Sequence, residues 1–353
     1  MTPAFLRLAL CYNPARMNKI TSWLRHHRIV TVLLIAVALL FAVLIVLNFL
    51  PVTVDDTSVS NPATGYEDAV ARVAAMQAEE EASGLINPIC QSILLTHGEP
   101  VENAIIFYHG FTSCPEQFRE LGQEFYERGY NVFIPLMPHH GHADRDRDAL
   151  LNVSAEELAV FATKTVDIGG SLGEDVVVSG LSGGGTIGAW IAQRHESIER
   201  AVIIAPFLGI GFIPAPLNRL VAHAIDVIPN FDMWWDPRSK ENNPQTADYA
   251  YPGYPLHSLA EYLRLGWATH DLARRAAPAV TSITVVLNEH DDSVSNSVAL
   301  QLAAHWRQYA GEVLRTEIFP AELGLPHDLI TATREDGNPA LVYPIITDSI
   351  EVR

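Results

Sequence analysis

Between Asp175 and Trp190 the hydrophobic pattern changes period within a few residues. Val176, Val177 and Val178 form a β-branched run of the kind a buried strand requires, and Ile187, Trp190 and Ile191 then recur on one face of a helix. Gly180-Leu181-Ser182-Gly183-Gly184 lies between them, so the pattern predicts strand, sharp turn and helix with Ser182 at the apex. The alternation extends along the chain. Strands are predicted over 91–96, 104–108, 131–136, 201–205, 282–287 and 314–319, and further helices over 115–128, 154–167 and 294–309. Ser113 with Glu116, and Ser154 with Glu157, have capping-box spacing at two of the helix starts. Strands alternating with helices imply an α/β fold, a mostly parallel central sheet with helices on both faces. The alternation is interrupted at about 207–276 by a stretch carrying Phe207, Phe212, Phe231, Met233, Trp234, Trp235, Tyr249, Tyr251, Tyr254 and Trp267.

Ahead of this body, residues 29–50 form 22 positions without a charge. As a helix they would span about 33 Å against a hydrocarbon core of about 30 Å. A buried core helix would keep a polar face, whereas Thr31 and Asn48 are the polar positions here. The stretch is therefore predicted to be a transmembrane signal anchor. Arg7, Arg16, Lys19, Arg25 and Arg28 precede it, and Asp55 and Asp56 follow. The positive-inside rule then puts a basic tail, 1–28, in the cytoplasm and everything after residue 50 outside, as a single-pass membrane protein. The alternative is a cleaved signal peptide, for which Ala36-Val37-Ala38 mimics a cleavage site in mid-span. Residues 51–88 read as a stem containing a helix over 66–82, and 89–353 as the globular domain.

Charge narrows the function. The chain carries a formal charge of −18, and its first 54 residues hold five basic and no acidic positions, leaving 18 basic against 41 acidic residues in the remainder. So acidic a body argues against nucleic acid as a partner and against peripheral binding to anionic lipid. Cys90 and Cys114 fall on the oxidising side in this topology and are candidates for a disulfide; Cys11 falls on the reducing side.

Three further loops give Ser182 a chemical context. His109-Gly110-Phe111-Thr112 follows the strand 104–108, where the Phe111 N–H, with that of Gly183, would form a two-donor oxyanion hole. His109 itself is expected to order the loop rather than act as a base. After the strand 282–287, Asn288-Glu289-His290-Asp291-Asp292 supplies a carboxylate; Asp291 is the candidate acid and Asp292 the alternative. After the last strand, Gly324-Leu325-Pro326-His327-Asp328 offers His327 as the base. A serine, an acid and a histidine at the ends of successive strands follow the chain order of an α/β hydrolase. His139, His140, His142, Asp144 and Asp146 are the metal-like cluster, but the spacing lacks a helical H-x-x-x-H or a cysteine pair, so no metal or other cofactor is expected.

On HGFTSCPEQF (109–118), PHHGH (138–142), GLSGGG (180–185), NEHDDSV (288–294) and LPHD (325–328), the chain resembles the serine hydrolases of the α/β-hydrolase fold. The likeness runs over about 89–345 and is greatest to the esterase, monoacylglycerol-lipase-like and serine-aminopeptidase-like branch. It implies Ser182 as nucleophile, Asp291 as acid, His327 as base, and Phe111 and Gly183 as oxyanion donors. The glycine usual before the acid is Asn288 here, and the loop commonly reading G-H-G is expanded with histidines. The family inserts a cap where the alternation is interrupted; Trp234 and Trp235 from it, with Leu181, are expected to line an apolar substrate pocket. The expected activity is cleavage of a carboxylic ester, as a carboxylesterase or small-acylglycerol lipase acting on a small or lipid-like ester. One alternative is an aminopeptidase of the same fold, with Asp232, Asp236 or Glu261 binding the substrate amine. Another is a catalytically silent, membrane-tethered binding module.

Overall fold

The computed structural model describes residues 14–145, 147–242, 246–310 and 314–352. Residues 1–13 of the expected basic tail and Asp146 of the histidine-rich loop lie outside the described residues. The chain divides into two compact units, Met1–Leu50 and Pro51–Arg353. Among the described residues the first contains one helix, α1 (Pro14–Phe49), in which His26–Phe49 is long and apolar enough to cross a membrane.

The second unit starts with the segment read as a stem, which is built into the body. The Val52 N–H donates to Asp271 at 2.8 Å, and Ser60 and the Asn61 N–H both donate to Asp167. Helix α2 (Tyr66–Ser83) buries Ala69, Val73 and Met76, the apolar positions of its inner face. Strands β1 (Ile93–Leu95), β2 (Val101–Tyr108) and β3 (Asn131–Ile134) follow, with α3 (Arg119–Glu127) between the last two. Next come α4 (Ala155–Gly169), β4 (Gly173–Leu181), α5 (Gly183–Arg194) and β5 (Arg200–Ile204). The insertion then contributes α6 (Ala215–Ala224), a small hairpin of β6 (Asp232–Trp234) with β7 (Gly253–Pro255), and α7 (Leu256–Ala273). Strand β8 (Ser282–Asn288), α8 (Asn296–Ala310), β9 (Leu314–Phe319) and α9 (Pro339–Glu351) complete the chain.

Seven strands form one sheet in the order β1-β3-β2-β4-β5-β8-β9, antiparallel at β1 and parallel elsewhere. The central strands read as continuous apolar runs because helices cover both faces. Val176 to Leu181 and all of β5 are buried. Parallel pairing brings the C-terminal ends of β2, β4 and β8 to one edge of the sheet, where the loops of interest emerge.

One local expectation changes. At the first predicted capping box, the chain makes a 3-10 turn over Pro115–Phe118 before α3, and Ser113 does not cap it; the cap position is Cys114, held extended with φ −152°. The second start forms as expected, with Ser154 Oγ accepting the Glu157 N–H at 3.1 Å, while the Glu157 carboxylate turns away to His139. The hairpin β6–β7 and helix α9 were not expected from the hydrophobic pattern. Cys90 and Cys114 are joined by a disulfide, their Cα atoms 5.3 Å apart, and sit with Leu136 in a small apolar cluster of their own.

Candidate active site

The turn after β4 forces Ser182 into an unusual backbone, φ 56° and ψ −114°, a region rarely adopted by residues with a side chain. Its N–H donates to the Ile204 carbonyl and its own carbonyl accepts from Phe207 and Thr186, so the strained residue is held from three sides. The small flanking residues are sterically required. A Cβ on Gly184 would lie 2.0 Å from the Tyr108 carbonyl oxygen, and one on Gly180 would lie 2.3 Å from that of Gly184. The strand and the helix can therefore close to this distance only as glycine.

A Cβ built on Gly183 would stand 3.0 Å from the Phe111 nitrogen, so the Phe111 backbone lies against the start of α5. Neither the Phe111 N–H nor the Gly183 N–H donates a hydrogen bond among the described residues. The Phe111 loop is pinned on several sides. Its side chain is buried against Tyr262, Tyr254 and Trp235. Thr112, itself at φ 70°, accepts from the Trp235 indole at 2.9 Å and from the Tyr251 N–H at 2.8 Å. The Gly110 N–H donates to Gln117 Oε1 at 2.7 Å. His109 lies wholly buried beneath, its Nδ1 bonded to the Gly110 carbonyl and its Nε2 accepting the Met137 N–H. Burial, with the nearby His140 adding to it, keeps the His109 ring neutral far below the ordinary histidine range. This environment suits a structural histidine.

At the ends of β8 and β9 the loops meet. His327 Nδ1 lies 2.6 Å from Asp291 Oδ2, and the Asp291 side chain is fully buried with its other oxygen accepting from the Ser293 and Val294 N–H groups. Asp292 is exposed and does not bond the imidazole. Burial lowers the affinity of the His327 ring for a proton, but the Asp291 charge and hydrogen bond outweigh it, with Asp328 contributing, so its pKa is raised above the usual histidine value. Asn288, in place of the usual glycine, is completely buried and donates to the Leu325 and Pro326 carbonyls at 2.9 and 3.1 Å. Asn288, three residues before the candidate acid, thus grips the two residues before His327.

One cleft of about 350 Å³ receives these parts, lined by Ser182, His327, Phe111, Leu181, Trp235 and Tyr249 among others. Trp234 does not reach it. The Trp234 ring, at the end of β6, lies instead 4.2 Å from the Arg147 guanidinium. Of the carboxylates considered for an amine site, Asp236 lines the cleft, tied to Ser239 and the Arg238 N–H. Asp232 pairs with Arg147, and Glu261 with Arg264. In the histidine-rich loop, His139 bonds Glu157, His140 bonds the Pro138 carbonyl, and burial holds the His140 pKa at about 4. Among the described residues no group of three or more His, Cys, Asp or Glu is arranged to hold a metal ion. Gln117 and Asp328 lie within the motifs 109–118 and 325–328, but nothing in their spacing along the chain marks them as partners of each other.

Residues 93–330 match the model of the alpha/beta hydrolase family. A thermostable monoacylglycerol lipase of Bacillus sp. (strain H-257) is 27% identical over 187 residues, covering 51% of this chain and 68% of the lipase. Among solved structures, one from a study of the metagenome-derived lipolytic enzymes LipS and LipT superposes with a TM-score of 0.57 at 17% identity, covering 75% of this chain and 97% of that one. The monoacylglycerol lipase of Paleococcus ferrophilus gives 0.53 at 16% identity over 73% of this chain and 99% of its own. These structural likenesses concern the fold.

Proposed function

The chain belongs to the alpha/beta hydrolase family and is a lipase- or esterase-type hydrolase, and from that premise we propose that it cleaves carboxylic esters through an acyl-enzyme on Ser182. The observation that carries this reading is the 2.6 Å pair of His327 with buried Asp291, opening on the same cleft as the strained Ser182. His327 takes the Ser182 hydroxyl proton through Nε2 as Oγ bonds to the ester carbonyl carbon, and Asp291 holds the ring and stabilises its imidazolium form. The carbonyl oxygen, now anionic, receives the N–H groups of Phe111 and Gly183; each such donor is worth about 3 kcal/mol in the transition state. Collapse of this intermediate expels the alcohol, which leaves with the proton held by His327. Water then enters, gives its proton to His327 and its oxygen to the acyl carbon, and the acid departs as Ser182 regains its proton. Leu181 and Trp235 serve as apolar walls for the substrate.

An ester of a small acylglycerol is the substrate class favoured by the relative in Bacillus, a monoacylglycerol lipase. The aminopeptidase reading is weaker, since two of its three candidate carboxylates are engaged in ion pairs outside the cleft. We further propose that α1 anchors the enzyme in a membrane with the stem segment, 51–88, and the hydrolase domain, 89–353, on the extracytoplasmic side. The test is hydrolysis of p-nitrophenyl esters of two to sixteen carbons by the detergent-solubilised chain, beside an aminoacyl anilide panel. Ester turnover lost in Ser182→Ala is the expected result, whereas anilide turnover alone would move the assignment to a peptidase.

A further inference from the structure

The oxyanion-donor loop and the base loop belong to opposite ends of the domain sequence, and a single side chain joins them. Gln117 is buried, accepts the Gly110 N–H at 2.7 Å through Oε1, and donates through Nε2 to Asp328 Oδ2 at 3.0 Å, across 211 residues of chain. Gly110 immediately precedes Phe111, and Asp328 immediately follows His327. Asp328 is itself fixed: Oδ1 accepts from the Ile330 and Thr331 N–H groups at 3.1 Å each, and Oδ2 also accepts from Thr331 Oγ1 at 2.6 Å.

The polarity of this bridge allows one arrangement. The Gly110 N–H can only donate, so the amide oxygen must face it. The amide NH₂ then faces Asp328, which must accept. Buried hydrogen-bonding groups left with like facing like cost more than the bond was worth, so any mismatch displaces one of the loops. We infer that Gln117 and Asp328 are a positioning pair for the proposed hydrolysis: they fix the spacing between the Phe111 N–H that meets the oxyanion and the His327 ring that carries the proton. Neither touches the reacting atoms, and the inference rests on the ester-hydrolase reading above.

The test is a polarity reversal. In Gln117→Glu the Gly110 N–H keeps its acceptor, but a second carboxylate oxygen meets Asp328. In Asp328→Asn the new amide can accept the Ile330 and Thr331 N–H groups, but its NH₂ meets that of Gln117. The double variant makes the bridge again with the donor on the other side. With a p-nitrophenyl ester, at a pH where the base is unprotonated, each single variant is expected to lose about 10- to 100-fold in kcat with KM changed by less than about threefold, as for small misplacements of catalytic groups. The double variant is expected to regain kcat to within about threefold of the parent, the signature of direct coupling. Should Gln117→Glu fail to fold in a thermal melt, loss of kcat in folded Asp328→Asn and its repair in the double variant carry the same information. Parental kcat in folded Asp328→Asn, or a double variant as slow as the product of the two single losses, would overturn the inference while Ser182-dependent turnover of the parent leaves the hydrolase reading standing. Absence of Ser182-dependent turnover in the parent would overturn both.

Discussion

At the scale of the residue, the central feature is an imidazole whose proton affinity is set by its neighbours. In the proposed mechanism His327 must be neutral to act as a base, and Asp291 lifts its pKa against the effect of burial. The rate therefore falls as pH drops through that raised value. In a profile of kcat/KM the acidic limb is expected to have its midpoint above about 6.5, the ordinary histidine value, and to move down in Asp291→Asn together with a large loss of rate. A midpoint at or below that value would contradict the assignment of the base. Asn288 makes a second residue-level prediction. Its amide ties β8 to the two residues before His327, and Asn288→Gly, which restores the family's usual residue, removes both bonds. It is expected to cost about 1–3 kcal/mol in stability and about tenfold in kcat, read by denaturant melts and by ester turnover. Ser182, His327 and the glycines were legible in the sequence because the chemistry demands those residue types at an identifiable turn. The work of Asn288 was not, because its partners lie 37 and 38 residues away and the bond depends on how two loops meet.

At the scale of the element, hydrophobic periodicity alone identified the strands of the sheet and most of its helices, since a parallel sheet buried on both faces leaves long apolar runs. It was less informative where local chemistry competes with tertiary geometry. The Ser113–Glu116 spacing failed as a cap because the disulfide partner Cys114 occupies the cap position. Strand β6 is three residues long and two of its three residues are only half-buried, too short for a period to register. The neighbours Trp234 and Trp235 part company at the end of β6, one against Arg147 and the other in the cleft, and adjacency in sequence does not show this. The close contact of β2, β4 and α5 leads to a further prediction: Gly184→Ala sets a methyl against the Tyr108 carbonyl, and is expected to destabilise the domain by at least about 2 kcal/mol or prevent folding, as measured by urea melts. Reduction of the Cys90–Cys114 bridge, which closes a separation of 24 residues, is expected to cost about 3 kcal/mol in the same experiment.

At the scale of the whole molecule, acid stability and catalytic pH dependence have opposite causes. His109, His140 and His270 are buried neutral, with burial the main reason; His140 is held at about 4 and His270 at about 3. Between those values and about 6.5 the unfolded chain binds protons that the folded chain refuses, so stability falls as pH drops, by up to about 1.4 kcal/mol per pH unit for each histidine. His327, with its raised pKa, contributes in the other direction: its share is present below about 6.5 and is lost as pH rises through the folded value. Melting temperature is therefore expected to decline from pH 7 to pH 4.5, and a flat profile would contradict the neutral burial of these rings. The measurement that bears most directly on the central claim is labelling of the full chain in detergent by a fluorophosphonate, followed by mass mapping of the adduct. One phosphonyl group per chain on Ser182, abolished in His327→Ala of parental melting temperature, is the result expected of a serine hydrolase. Folded protein that takes no label, or that labels equally well without His327, would contradict it.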